Sequence, residues 1–174
     1  MERTAGGDEE AFRLLVERWE RPIFRFLDRM LSSPEEAEDA SQETFLRVFE
    51  QARRYRPEGQ FRSWLFRIAG NLARSRLRRR KVLQWVRLEP VLHDRPDPGE
   101  RADGAIEKRE LRRAVREAVR ALPERQKQAV LLRRYEEMSY AEIATAMGVT
   151  VPAVESLLQR ATAALRSALA GTVV

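Results

Sequence analysis

One stripe of side chains in this sequence has the chemistry needed to hold nucleic acid. Trp64, Arg67, Asn71, Arg74 and Arg78 recur every three or four residues, so on a helix they share one side. An indole can stack on a base, an amide can hydrogen-bond a base edge, and guanidiniums can neutralise phosphates. The stripe predicts contact with nucleic acid, although a solvated arginine-rich helix with its Trp in the core would show the same pattern.

The charge around the stripe favours the nucleic-acid interpretation. Residues 59–88 hold nine basic residues and no acidic one, whereas residues 1–58 hold 14 acids against 10 bases. The whole chain of 174 residues has a net charge of +6. An acidic lobe beside a basic strip predicts two kinds of partner surface, one of which binds an anion.

Catalytic chemistry has little support in the sequence. The chain has one histidine and no cysteine, which excludes disulfides and cysteine-ligated metals. His93 and Asp94 are adjacent, but no Ser or Cys nucleophile is placed to join them, and glycine-rich phosphate loops and carboxylates at metal spacing do not occur. We expect no catalytic residue, no metal and no cofactor. Without a long apolar run or a leader pattern, we also expect a cytoplasmic protein with no membrane insertion.

The stripe lies on a predicted helix within residues 61–81. Ser63 is placed to cap a helix that starts at Trp64, and apolar residues cover the remaining surface. Residues 81–88 either extend this helix or begin a linker. Two helices are predicted before it. The first covers 8–31 and is kinked or restarted by Pro22. The second covers 34–55 and ends at a turn at 57–59. Together these helices predict an α-helical bundle.

A second helical domain is predicted beyond a Pro- and Gly-rich linker at 89–104. Its first helix covers 105–122, and Pro123 ends that helix and begins the next. The apolar residues expected on the inner side of the first helix are Ile106, Leu111, Val115, Val119 and Leu122.

The end of the chain has the spacing of a helix-turn-helix. A short helix at 140–147 begins with a capping box, and a last helix follows from Thr150 to about residue 169. Ala144 is small where the helices would touch, and Gly148 suits a left-handed turn. The apolar anchors are Ile143, Met147, Val149, Val154 and Leu157. An ordinary helical hairpin is the alternative.

The last helix of such a motif enters the major groove of DNA. Its outward positions are Ala153, Glu155, Ser156, Gln159 and Arg160. Gln159 and Arg160 can make bidentate contacts to adenine and guanine edges, and Ser156 can serve a base or a phosphate. For Glu155 we favour a position at the solvent-exposed rim.

These motifs carry a family resemblance. The order AEDASQETFLRVF, then FRSWLFRIAGNLARSRLRRR, and finally LPERQKQAVLLRRYEEMSYAEIATAMGVTVPAVESLLQRATAALR resembles a bacterial RNA polymerase sigma factor of the extracytoplasmic-function (ECF) group. The resemblance implies an all-α protein of two small helical domains joined by a flexible linker. Residues 1–88 would be a sigma region 2-like domain and 105–174 a region 4-like domain, with the linker at 89–104.

The resemblance also implies roles for individual residues. The residues that bind the coiled coil of the polymerase's clamp-bearing subunit would be Glu38, Asp39, Gln42, Glu43 and Phe45. Those that recognise and melt the −10 promoter element would be Phe61, Trp64, Arg67, Asn71, Arg74 and Arg78. The recognition helix with Ala153, Glu155, Ser156, Gln159 and Arg160 would bind the −35 element as duplex. Three residues depart from the family pattern. The family often has Asp at the position of Ser75, and basic residues are common at the positions of Glu155 and Thr162.

The implied partners are core RNA polymerase, promoter DNA (duplex at −35, single-stranded at −10) and an anti-sigma factor, and the free chain would be a monomer. Two other functions remain open from the residues. One is a dimeric helix-turn-helix repressor or activator that acts without being a polymerase subunit. The other is an interaction protein without a DNA role, whose basic helix binds an acidic partner or surface.

Overall fold

The computed structural model describes Thr4 and residues 6–55, 61–87 and 106–170, and in these parts the chain forms helices joined by short connections. These parts contain no strand. Their helices are α1 (Glu9–Leu31), α2 (Pro34–Gln51), a 3-10 turn (Ala52–Arg54), α3 (Phe61–Arg87), α4 (Ile106–Ala121), α5 (Glu124–Arg134), α6 (Tyr140–Met147) and α7 (Val151–Leu169). The all-α prediction is confirmed, whereas the predicted linker at 89–104 and the turn at 57–59 lie outside the described residues.

Side-chain caps explain where most of these helices begin. Asp8 accepts a hydrogen bond from the backbone N–H of Ala11 at 2.9 Å, and Ser33 accepts one from Glu36 at 3.3 Å. The side chains of Ser139 and Thr150 cap α6 and α7 in the same way. Each cap satisfies an N–H group that has no partner within its own helix.

Two sequence predictions need correction, and two alternatives that the sequence left open are decided. α1 continues through Pro22 without a restart, because the buried residues that follow it keep the second half of the helix packed on the core. α3 begins at Phe61, and Ser63 is a buried residue inside it, so Ser63 does not cap the helix. Residues 81–87 extend α3. Leu111 is 40% exposed and therefore does not lie on the inner side of α4.

The N-terminal domain, which we define as α1, α2 and α3, has its own apolar core. Phe26 and Phe66 meet edge to face at a centroid distance of 5.2 Å, and both are almost fully buried. The other large members are Ile23, Leu27, Met30, Leu31, Phe45, Val48, Leu65, Ile68 and Leu72. This core fixes which side of α3 faces outward.

The C-terminal domain, α4 to α7, packs directly on the N-terminal domain. α6 lies against α3, α5 lies against α1, and the buried apolar residues of both domains form one contiguous cluster. Gly70 of α3 makes room for Gln128 of α5, since a Cβ at position 70 would clash with the Gln128 amide. We call this arrangement of the two domains the closed arrangement.

Polar and charged groups are prominent in the contact between the domains. Lys127 is only 6% exposed, and its Nζ donates to the carbonyl oxygen of Met30 at 3.4 Å. The Arg29 guanidinium lies 4.2 Å from the centroid of the Tyr135 ring. Gln128 is fully buried with neither atom of its amide hydrogen-bonded. Such contacts are typical of domain interfaces that can separate.

No single helix among the described residues is both long and apolar enough to cross a membrane. Only α6 and α7 taken together satisfy that length and composition, and they are bent by 99°.

Candidate nucleic-acid interface

The predicted stripe lies on the outer side of α3. Arg67, Asn71 and Arg78 are exposed, and Arg74 is half-buried. Arg74 Nη2 donates a hydrogen bond to Asn71 Oδ1. This bond uses one of the two lone pairs of the amide oxygen, so the second lone pair and the NH₂ group of Asn71 are left to contact a base.

Trp64 belongs to an aromatic cluster at the start of α3. Its ring is half-buried, with Tyr55 at 4.9 Å and Phe61 at 5.8 Å between centroids. Phe61 also contacts the ring of Trp19, at a centroid distance of 6.0 Å. Tyr55 is partly buried by this cluster, and burial raises its pKa. The indole is therefore supported by other rings, with only part of its surface open to a ligand.

Two further arginines of α3 contact α2. Arg76 Nη2 lies 3.0 Å from Glu43 Oε2, and its Nη1 donates to the carbonyl oxygen of Glu36 at 3.1 Å. Arg80 Nη2 lies 2.7 Å from a carboxylate oxygen of Glu36. Burial raises the pKa of Glu43, but hydrogen bonds from Arg76 and Arg47 outweigh that effect, and the net pKa is lowered. These contacts keep Glu43 ionised and fix it in place.

The predicted polymerase-binding residues lie on α2 with different exposures. Glu38, Asp39 and Gln42 are exposed and Glu43 is half-buried, so all four reach the surface. Phe45 is 7% exposed and lies in the core, where it can support that surface only from beneath.

An exposed apolar group, not predicted from the sequence, lies near this acidic surface. Leu46 and Phe49 of α2 are 63% and 48% exposed. Phe49 contacts Phe12 of α1 at a centroid distance of 5.1 Å, and Leu14 of α1 is 49% exposed. The three-residue spacing of Leu46 and Phe49, outside the buried set of α2, was the signal that could have revealed them.

The predicted helix-turn-helix is confirmed in its local geometry. α6 and α7 meet at 99°, within the range of about 90–120° for this motif. Gly148 has φ +63°, and the N–H of Val149 donates to the carbonyl oxygen of Ala144 at 3.0 Å. The capping box is complete, because Ser139 and Glu142 cap each other's backbone N–H groups.

The outward residues of α7 lie where the sequence placed them. Glu155, Ser156, Gln159 and Arg160 are exposed, and Ala153 is half-buried. Arg160 Nε donates to the carbonyl oxygen of Ser156 at 3.2 Å. The side facing away from the core therefore presents a hydroxyl, an amide and a guanidinium, the groups that contact base edges.

The two predicted DNA-binding surfaces face one another across a cleft. Its volume is about 880 Å³, and it is lined by the stripe on α3, the start of α5 and the outer side of α7. The lining includes Asn71, Arg74, Arg78, Lys81, Arg125, Ser156 and Arg160. Arg67 lies outside this cleft, with Nη2 about 3.4 Å from the position a Gly148 Cβ would occupy. Lys81 and Arg125 were missed because their place depends on how the domains pack.

In the part of the chain that the structure describes, no three His, Cys, Asp or Glu residues are grouped to hold a metal ion. The molecule is thus an all-α protein with a basic helix beside a helix-turn-helix.

Two known family models match the chain. Residues 15–82 match the family model of sigma-70 region 2, and residues 112–165 match that of sigma-70 region 4. The RNA polymerase sigma-H factor of Pseudomonas aeruginosa is 32% identical over 180 residues, covering 97% of this chain and 91% of that protein. The ECF RNA polymerase sigma-E factor of Haemophilus influenzae is 33% identical over 172 residues, covering 92% and 88%. The chain therefore belongs to the sigma-70 family, in the group of ECF RNA polymerase sigma factors.

Solved structures show the same fold. The sigma factor RpoE from Bartonella quintana, in complex with the anti-sigma factor NepR, superposes with a TM-score of 0.76 at 20% identity, covering 92% of this chain and 97% of that one. CnrH, in complex with the cytosolic domain of CnrY, superposes with a TM-score of 0.70 at 24% identity, covering 97% and 94%. Family membership favours a sigma factor over the dimeric repressor and the interaction protein without a DNA role.

Proposed function

We propose that the chain divides promoter recognition between its two domains as a sigma factor of core RNA polymerase. The N-terminal domain recognises and melts the −10 element, and the C-terminal domain binds the −35 element. The observation that supports this division best is the outer side of α3, where Asn71 and exposed arginines lie together over a rigid core. A fixed amide beside fixed cations suits a single strand, whose bases and phosphates are both accessible.

Melting needs no catalytic group in this proposal. The N-terminal domain traps unstacked bases, and each stacking contact contributes about 1–3 kcal/mol. Asn71 hydrogen-bonds one flipped base, while Arg67, Arg74 and Arg78 neutralise phosphates. Trp64, with Phe61 behind it, provides an aromatic edge next to the opened strand. The chain acts as a specificity subunit and not as an enzyme.

The C-terminal domain binds duplex through α7. Gln159 and Arg160 contact base edges, Ser156 contacts a base or a phosphate, and Ala153 allows close approach to the groove. Glu155 lies at the rim of this contact. Arg160 Nε donates to the carbonyl oxygen of Ser156 on the same helix, and in this proposal the side chain leaves that bond to contact a guanine.

Polymerase binding belongs to the acidic surface of α2. Glu38, Asp39, Gln42 and Glu43 form the polar part of the contact, and Phe45 supports it from the core. The chain would act in the cytoplasm, where its absence of cysteine suits a reducing medium. It would be a monomer when free. The solved RpoE–NepR complex supports the inference that an anti-sigma factor also binds this chain.

Substitution of Asn71 tests the proposal. In Asn71→Ala, the chain should still bind core polymerase with nearly unchanged affinity, but permanganate reactivity of thymines at the −10 element should be lost. The matched control is Arg79→Ala, which removes an exposed side chain of α3 outside the stripe. Equal loss of polymerase binding and promoter opening in Asn71→Ala would contradict the role assigned to this residue.

A further inference from the structure

Among the described residues, the cleft between the domains contains more basic than acidic side chains, with Glu124 the one acid in its lining. Its lining includes four arginines, Arg74 and Arg78 from α3, Arg125 from α5 and Arg160 from α7. Among the described residues, none of the four forms an ion pair with an acid. Lys81 is paired with Glu124 at 2.7 Å, so these two largely cancel. The closed arrangement therefore brings together four guanidiniums that have no ion-pair partner among the described residues.

Arg74 shows the cost of this arrangement. Its Nη1 is buried without a hydrogen-bond partner. Burial lowers the pKa of Arg74, the like charges of Arg125 and Arg78 lower it further, and the Glu124 carboxylate opposes them in part. Arg125 and Arg74 belong to different domains, so their repulsion acts against closure. An anion between them would replace repulsion with charge-assisted hydrogen bonds.

The start of α5 adds hydrogen-bond donors to the same cleft. Pro123, Glu124, Arg125 and Gln126 all line it. Pro123 is the N-cap and offers no side-chain hydrogen bond to the helix. The first N–H groups of α5 therefore lack the cap that α1, α2, α6 and α7 possess. These groups supplement the guanidiniums, because helix N-termini favour anions.

The size of the cleft suits a small anion. A volume of about 880 Å³ falls in the range of about 300–1,000 Å³ that small-molecule sites occupy. Several phosphate groups in a row would match four guanidiniums spread over three helices. Val149, Ala153 and Leu157 form an apolar part of the wall, against which a nucleoside could rest.

We propose that the closed arrangement binds one small anion carrying several linked phosphate groups in this cleft, and that the anion holds the domains closed in competition with promoter DNA. The competition rests on the proposed function, because Asn71, Arg74 and Arg160 would serve both ligands. The anion site itself rests only on the cleft. Binding of the anion and promoter-dependent transcription can therefore fail independently.

Calorimetric titration of the full chain with inorganic tripolyphosphate tests the site at about 0.15 M salt, where weak surface attraction is screened. We expect one equivalent to bind. Arg125→Ala should weaken binding about tenfold, because it removes a charge-assisted contact to phosphate. The matched control is Arg112→Ala, which removes an exposed arginine of α4 outside the cleft lining. Equal weakening by both substitutions, or several equivalents bound, would show nonspecific charge attraction and overturn the proposal.

A second variant tests whether the site needs the closed arrangement. Gly70→Leu places a side chain where Gln128 packs, away from the cleft lining, and should push the domains apart. Tripolyphosphate affinity should then fall about tenfold while circular dichroism shows unchanged helix content. Unchanged affinity in a variant whose domains have separated would refute the role of closure, with separation measured by small-angle scattering.

Titration with ATP distinguishes two sources of linked phosphates. Tighter binding of ATP than of tripolyphosphate would identify a nucleotide whose nucleoside rests on the apolar wall. Equal affinity would identify the phosphate chain alone. Failure of both to bind would overturn the proposal and leave the promoter-recognition role untouched.

Discussion

The arginines of α3 cannot be told apart in the sequence but make different contacts in the structure. Arg67 and Arg78 are exposed, whereas Arg76 and Arg80 hold the acids of α2. One run of basic residues thus supplies both the proposed nucleic-acid surface and the ion pairs that position the proposed polymerase-binding surface. Sequence periodicity predicted the exposed stripe, but the partners of Arg76 lie more than thirty residues away, so local spacing could not reveal them.

Replacing Arg76 tests this second role. Arg76→Ala removes the contacts to Glu43 and to the Glu36 carbonyl. We expect the free energy of unfolding to fall by about 1–2 kcal/mol, less than for a buried pair because both partners are partly exposed to solvent. Polymerase affinity should fall as well, since Glu43 loses its anchor.

Urea unfolding and a polymerase-binding titration measure the two effects. Arg79→Ala, an exposed neighbour, provides the control and should change neither quantity appreciably. If Arg76→Ala and Arg79→Ala have the same free energy of unfolding and the same polymerase affinity, the ion pairs between α2 and α3 do not stabilise the fold or the binding surface.

At the scale of elements, predictions succeeded where the determining contacts are local. The helix-turn-helix follows from offsets of three to five residues, and its cap, turn glycine and anchors all appear as expected. The predicted start of α3 at Trp64 was wrong because the true start depends on contacts with aromatic rings that are distant in the sequence. Phe61 packs against Trp19 and Tyr55, so the helix already includes Phe61, and Ser63 is buried inside it. Propensity alone cannot foresee such tertiary contacts.

The turn of the helix-turn-helix provides a test at this scale. Gly148 has φ +63°, a conformation that costs an L-residue about 1–2 kcal/mol. Gly148→Ala should lower the free energy of unfolding by about that amount and weaken −35 duplex binding, because the angle between α6 and α7 is set at this residue. Gly148→Asn should cost less, since Asn tolerates the left-handed region. Urea unfolding and fluorescence anisotropy with duplex measure both effects, and an equal cost for Ala and Asn would contradict a conformational origin.

At the scale of the whole molecule, the contact between the domains was beyond sequence reasoning. The residues that form it, such as Gly70 and Gln128, have no pattern that marks them as partners. The contact is also costly, because it buries Lys127 and leaves the Gln128 amide without hydrogen bonds. If the two domains contact the −10 and −35 elements separately, as we propose, an interface of limited stability allows them to move apart.

Lys127 makes that cost depend on pH. Burial lowers its pKa to about 8, with Arg120, Arg80 and Lys81 adding to the effect and Glu124 opposing it. The unfolded chain has the higher pKa of 10.5, so it holds the proton more tightly. The penalty is fully present below pH 8 and is relieved as pH rises toward 10.5, by about 3 kcal/mol in all.

Lys127→Met removes the charge and isolates this effect. At neutral pH the variant should be more stable than the wild type, and its advantage should shrink as the pH rises from about 8 to about 10. Chemical unfolding at several pH values measures the difference between the two chains, which cancels titrations they share. A constant difference across this range would mean that Lys127 does not lose its proton in the folded chain.

Transcription with purified components tests the central claim, that this chain directs core polymerase to promoters through its two domains. Sigma-free core polymerase is mixed with the chain and a pool of genomic fragments, and the start sites of the transcripts are mapped. We predict a small set of new start sites with shared −35 and −10 sequences, which disappear with Asn71→Ala. Start sites identical to those of core polymerase alone would contradict the account.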